Sequence, residues 1–295
     1  MNIFVNEADG RIRAGWRILI FLILFILVMA SLQLISGAVG VASWIGQVFF
    51  ATATLLTMWV MALMVDRRKY VDFGFHMNTR WAVECLRGAG WGIGLILILS
   101  AISYALGSFQ IVETFGWNVS VATAFVTMVG VSVAEESMFR GYFQKNIEEG
   151  FQFLGKEKAM WVSVLIISLG FSLAHWFNPN LTALALLNIA LAGILLGLSY
   201  VLTRSLAWPI GFHLTWNWFQ GGFLGVPVSG LEMEGYFKTT LGGPSWLTGG
   251  SFGFEGGLLC SILLLALTLL LFKFYGPINY PEMEVSGDLV ESGDL

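Results

Sequence analysis

From Ile18 to Leu34 the chain reads ILIFLILFILVMASLQL, and from Val41 to Val65 it again carries no charged side chain. An uncharged apolar run of about 18 residues or more is long enough to cross the hydrocarbon layer as a helix. Inside lipid the backbone must satisfy its own hydrogen bonds, which leaves helices or closed barrels. These runs are too long and continuous for barrel strands. Further segments of the same kind follow at Gly88–Leu106, Val119–Tyr142, Ala159–Phe177, Thr182–Leu202, Leu206–Leu224 and Leu258–Phe272. The expected fold class is therefore an all-α membrane protein, a polytopic bundle of about eight transmembrane helices.

Composition agrees: 57% of the 295 residues are hydrophobic and only 12% charged. A water-soluble domain would carry about twice that charged fraction. Nothing divides the chain into separate units, so residues 1–276 read as a single polytopic domain. Residues 277–295, with Glu282, Glu284, Asp288, Glu291 and Asp294, read as a short acidic tail, disordered and cytoplasmic. The tail supplies part of the formal net charge of −4. No basic cluster with interleaved aromatics exists, which argues against a nucleic-acid partner. Cys85 and Cys260 lie far apart at or within apolar segments and read as small buried hydrophobes. Arg11, Arg13 and Arg17 precede the first run, but its length and the second span mark a retained helix rather than a cleaved signal.

Orientation follows from the basic residues. With a cytoplasmic N-terminus and eight spans, Arg11, Arg13, Arg17, Arg67, Arg68, Lys69, Arg80, Arg87, Lys145, Lys156, Lys158, Arg204 and Lys273 all fall inside, and Lys238 alone falls outside. That asymmetry follows the positive-inside rule and places both termini in the cytoplasm. Asn78–Arg87 reads as a short amphipathic helix lying on the surface before the third span. The longest exterior segment, Gly225–Gly257, is dense in glycine, with Trp246, Phe252 and Phe254 among them. It is expected to be an irregular loop, re-entrant or plainly structural, with aromatic anchors at the interface.

Against this apolar background, the fourth span reads Val129-Gly-Val-Ser-Val-Ala-Glu135-Glu136-Ser-Met-Phe-Arg140. Each ionisable residue near a helix centre costs roughly 2.5–3.5 kcal/mol to insert, so three together cost about 8–10 kcal/mol. Glu136 and Arg140 are four apart on one helix face, in the acid-before-base order that favours a pair. Glu135 is turned by about 100° from Glu136 and has no local cation. Phe171 and His175 sit one turn apart in the fifth span, and His213 and Asn217 one turn apart in the seventh. Any one of these has a bland structural reading. A histidine can tie to a backbone carbonyl, an asparagine can join two helices, and a Glu–Arg pair can be architectural. Gathered in three spans, the set points to a polar pocket. His76, by contrast, falls in a polar loop and reads as solvated.

One carboxylate, two imidazoles and an amide suit hydrolysis by an activated water: a general base, a group orienting the water, and donors for an oxyanion. No Gly-x-Ser-x-Gly elbow is present. Zinc is the competing arrangement, with Glu135, His175 and His213 as its ligands. The His-Glu-x-x-His motif is absent, so such a site would assemble from separate helices. A proton-coupled transporter or channel using Glu and His as a relay is a rival reading.

Glu135-Glu136-x-x-x-Arg140, Phe171-x-x-x-His175 and His213-x-x-x-Asn217, in this order on successive spans, resemble the CPBP family of CAAX prenyl endopeptidases and bacteriocin-processing or immunity proteins, also called Abi. The resemblance covers 119–224. It implies an intramembrane glutamic-type peptidase without a cofactor. Glu135 would be the base and His175 a second partner of the catalytic water. His213 and Asn217 would form the oxyanion site, with Glu136, Arg140 and Phe171 supporting the pocket. The implied partners are the bilayer and a membrane-associated peptide or lipidated protein, and the implied location is a prokaryotic cell membrane. A non-catalytic immunity or scaffold role is the remaining alternative. Bringing His175 level with Glu135 requires the fifth span to begin beyond the bilayer, with 156–161 protruding.

Overall fold

The computed structural model describes residues 2–6, 10–39 and 45–276, apart from the side chains of 36–39. The acidic tail 277–295 and residues 41–44 of the second expected span lie outside the described residues. Apolar runs become helices throughout: α1 (Ala14–Val39), α2 (Ile45–Met61), α3 (Thr79–Ala105), α4 (Val119–Glu136), α5 (Lys145–Gly150), α6 (Lys156–Ala174), α7 (Ala183–Thr203), α8 (Ala207–Asn217), the short α9 (Ser245–Thr248) and α10 (Leu258–Tyr275). The π-helical stretch Ser137–Gln144 joins α4 to α5, so one helical rod runs from Val119 to Gly150. The protein is an all-α polytopic membrane protein in which seven helices among the described residues are long and apolar enough to cross a bilayer. The seventh expected span, Leu206–Leu224, is different. It is 11 residues of α-helix followed by 6 of π-helix (Trp218–Phe223), and α8 sits in the middle of the bundle. Trp208, Phe212 and Trp216 of α8 belong to the largest core cluster.

Two sequence expectations are corrected. Asn78–Arg87 is no separate surface helix. Asn78 instead caps α3, accepting the Trp81 backbone N–H at 2.9 Å, and the helix continues unbroken to Ala105. The reason is packing of α3 on α8 at glycines of both helices. A Cβ on Gly88 would stand 2.1 Å from the Trp208 carbonyl oxygen, and one on Gly211 would stand 2.1 Å from that of Cys85. Only backbone can approach backbone this closely, so the polar first turns of α3 stay in line with its apolar remainder.

The second correction concerns Gly225–Gly257, which is built rather than irregular. Strand β1 (Phe109–Thr114) pairs antiparallel with β2 (Phe237–Leu241), forming a two-stranded sheet that the hydropathy pattern did not announce. Phe252 and Phe254 are each 1% exposed, and Glu255 is buried with them. Asn188 of α7 donates to the carbonyls of Glu255 and Gly257 at 2.7 and 2.8 Å. The segment is thus tied into the core. Its buried polar groups find partners there, which is what permits a loop to enter an apolar interior.

At the other end of the bundle the charges are knotted. Arg17 of α1 bonds Asp66 at 2.8 Å and Glu149 at 2.9 Å, and Arg68 grips Glu149 through two bonds of 2.8 Å. Tyr142 donates to the second oxygen of Asp66 at 2.9 Å. Burial alone would lower the Arg68 pKa, but the charge and hydrogen bonds of Glu149 hold it above its ordinary value. This network fixes α1 and the end of α2 against α5, the continuation of the helix that carries Glu135.

Candidate active site

Three helices supply the polar residues, and each helix changes character beside them. In the rod from Val119, π-helical winding begins at Ser137, one residue beyond Glu136. In α8 it begins at Trp218, one residue beyond Asn217. His175 is the C-cap of α6, where regular helix stops. π-helical segments are uncommon and cluster at functional sites.

Phe171 is the hub. Its ring meets the His175 ring edge-on at 5.0 Å and the His213 ring at 6.1 Å, while the Arg140 guanidinium lies 4.3 Å over its face. Such a desolvated cation over an aromatic face contributes about 2 kcal/mol. Arg140 and Glu136 are both fully buried and paired at 2.9 Å, as the four-residue spacing anticipates. The same Glu136 Oε1 accepts a 2.8 Å bond from His213 Nδ1. One carboxylate oxygen therefore joins the fourth expected span to α8.

Both imidazoles are held by Nδ1. His175 Nδ1 donates to the Phe171 carbonyl at 2.8 Å, because a carbonyl can only accept. His213 Nδ1 donates to Glu136 in the same way. Each ring consequently keeps its Nε2 free to act as an acceptor while it is neutral. Glu135 is the carboxylate with no hydrogen bond to hold it. Its Oε2 is buried and unpartnered, with His213 Nε2 4.0 Å away, while the side chain as a whole is 19% exposed. Unpartnered buried atoms accumulate here: Glu135 Oε2, Glu136 Oε2 and Arg140 Nε. Buried polar atoms are ordinarily satisfied, so three orphans in one pocket mark a place that takes water or a polar ligand. Asn217, half-buried one turn beyond His213, has an amide that bonds nothing among the described residues.

Glu135, Glu136, Arg140, Phe171 and His213 are thus joined through direct contacts. His175 enters the group through Phe171, and Asn217 through its place on α8. The two imidazoles present themselves as metal ligands often do, with Nδ1–H given to an oxygen acceptor. Yet no group of three or more His, Cys, Asp or Glu side chains among the described residues stands at metal-holding spacing.

The sequence reading missed what frames the pocket. Gly193 of α7 offers its carbonyl to Arg140 Nη2 at 3.5 Å. Phe252, from the supposedly irregular loop, shares a core cluster with Phe171. The Gly88-x-x-x-Gly92 spacing was the available signal for the α3–α8 contact. The glycines around Phe252 gave no such signal.

Residues 116–219 match the family described as type II CAAX prenyl endopeptidase Rce1-like. No curated protein and no solved structure matches the chain. The matched stretch contains every motif residue and ends two residues beyond Asn217.

Proposed function

The chain belongs to the CPBP family, and from that premise we propose that it is a glutamate-dependent intramembrane endopeptidase. The observation that carries the reading is the contrast between two adjacent carboxylates. Glu136 Oε1 is committed to Arg140 and His213, whereas Glu135 Oε2 is buried, unbonded and faces His213 Nε2.

In the proposed reaction Glu135 takes a proton from a water molecule whose oxygen attacks the scissile carbonyl carbon. His175 Nε2 accepts a hydrogen bond from the second water hydrogen, which stays on the attacking oxygen, and so aims the lone pair. The carbonyl π electrons move to oxygen, and the Asn217 amide donates to that oxyanion. His213 can donate from Nε2 as well only in its imidazolium form, since Nδ1 already serves Glu136. Collapse of the tetrahedral intermediate breaks the C–N bond, and the proton held by Glu135 goes to the leaving amine. No step requires a cofactor.

The proposed substrates are membrane-associated peptides, including prenylated CAAX-type peptides and propeptides, lying partly in lipid beside the pocket. Both termini are placed in the cytoplasm of a prokaryotic cell. The helix ends support this orientation, because every described basic residue outside the spans except Lys238 lies with the α3, α6 and α8 N-termini.

The test is cleavage of a lipidated peptide library by detergent-purified protein, wild type beside Glu135→Gln, each with and without a metal chelator. Loss in the variant with full activity under chelation is the expected result. Activity lost to chelator and restored by zinc would transfer Glu135, His175 and His213 to ligand roles. Equal cleavage by wild type and variant would remove Glu135 from the mechanism.

A further inference from the structure

All the charged residues of α3 lie at its N-terminal end: Arg80, Glu84 and Arg87. The helix has 27 residues. It therefore measures about 40 Å against a hydrocarbon layer of roughly 30 Å. The surplus length belongs at the charged end, which places Arg80 and Arg87 among lipid headgroups. Arg80, Glu84, Arg87 and Trp91 follow one another at intervals of four, three and four, so they share one helix face.

That face looks onto the last turn of α10. The Trp91 and Phe274 rings lie 6.1 Å apart, and the Tyr275 hydroxyl bonds Glu84. Between the two helices runs a groove of ≈ 730 Å³ lined by all six of these residues. It is graded along the membrane normal, with arginines at the mouth and aromatic rings below.

Its charge is also specific. Glu84 is 4% exposed and committed to Arg87 at 2.7 Å and to Tyr275. Arg87 gives one N–H to that pair, and its side chain remains 59% exposed. Arg80 is exposed and makes no ion pair among the described residues. The mouth thus carries a surplus positive charge with free guanidinium N–H groups, the arrangement that grips phosphate oxygens.

We propose that the groove between the N-terminus of α3 and the C-terminus of α10 is a binding site for an anionic phospholipid. The headgroup phosphate bonds Arg80 and Arg87, and an acyl chain lies along Trp91 and Phe274. A zwitterionic lipid fits less well, because its ammonium meets the same surplus charge. This site is separate from the proposed peptidase pocket, and its test needs no substrate.

The experiment is native mass spectrometry of detergent-purified wild-type protein given equal amounts of dioleoyl-phosphatidylglycerol and dioleoyl-phosphatidylcholine. The expected result is retention of the anionic lipid over the zwitterionic one, with about fivefold of that preference lost for each arginine removed. Arg80→Gln, which leaves the Arg87–Glu84 pair intact, is expected to weaken the preference without lowering the melting temperature. Arg80→Gln/Arg87→Gln is expected to abolish it, and Lys238→Gln on the opposite face is expected to leave it unchanged. Equal retention of both lipids by wild type would overturn the proposal, as would an unchanged preference in Arg80→Gln. Thermal protection by inorganic phosphate equal to that by phosphatidylglycerol would overturn it too, by assigning the arginines to free phosphate.

Discussion

Glu136 and His213, 77 residues apart in the chain, meet through a 2.8 Å hydrogen bond at a carboxylate oxygen that also holds Arg140. Glu136 is therefore the joint between the helix carrying the proposed base and the helix carrying the proposed oxyanion donors. Glu136→Gln would strip Arg140 of its counter-charge inside the bundle. Leaving a buried charge uncompensated costs about 3–5 kcal/mol. Thermal unfolding in detergent is expected to register that loss, and Glu136→Gln/Arg140→Gln to recover part of it. Recovered stability should not bring back full cleavage, because a neutral amide oxygen anchors the His213 Nδ1–H more weakly than the Glu136 carboxylate does.

Asn217 gives the opposite signature. Its amide holds nothing together among the described residues, so Asn217→Ala is expected to melt like wild type. Removing one oxyanion donor typically lowers kcat by about 10²–10³. Single-turnover cleavage beside a melting curve checks both halves of this expectation. A large fall in melting temperature would show that Asn217 is structural.

The α3–α8 seam is predicted to tolerate no side chain. Gly88→Leu places carbon where the Trp208 carbonyl stands, and overpacking of this kind costs about 1–3 kcal/mol or more. It also moves the helix that carries His213, so activity should fall together with stability. Gly90→Ala, two residues along the same helix where a Cβ meets open space, is the matched control. It is expected to be neutral or to stabilise by up to about 1 kcal/mol.

Glu255 supplies a pH dependence outside the membrane spans. Burial raises its pKa from 4.5 to about 7, against the lowering effect of bonds from Gln220 at 2.6 Å and Trp216 at 3.3 Å. The folded state holds this proton more tightly than the unfolded chain. Stability associated with the group is therefore greatest below about pH 4.5 and declines as pH rises through about 7. The full span is of order 3 kcal/mol. Glu255→Gln is expected to flatten this part of the stability profile between pH 5 and pH 8. A variant profile as steep as that of wild type would assign the dependence to other groups.

Much of this protein was legible in order along the chain. Glu136 and Arg140 pair because a helix brings residues four apart to one face, and that geometry needs no tertiary information. His213 and Asn217 fall on one face for the same reason. Long uncharged runs dictate helices because lipid offers the backbone no other partner, so the bundle itself followed from hydropathy.

Hydropathy could not say that the segment after Leu206 would become a short helix at the centre of the bundle. It could not say that Asn78–Arg87 would continue straight into α3 either. Both outcomes turn on glycines of one helix meeting the backbone of another, a contact whose partner the local sequence does not name. The same holds for Glu255 and Phe252, which lie in a segment that looks irregular: Asn188, Gln220 and Trp216 reach Glu255 from distant helices, and Phe252 is buried in a cluster with Phe171, Ala185 and Ile189. Sequence alone determined the helices, their polar residues and which of those share a face, since these depend on spacing within one element. The tertiary structure alone decided that Glu136 is spent on Arg140 and His213 while Glu135 stays unbonded, because two adjacent carboxylates differ only in what the neighbouring helices bring to them.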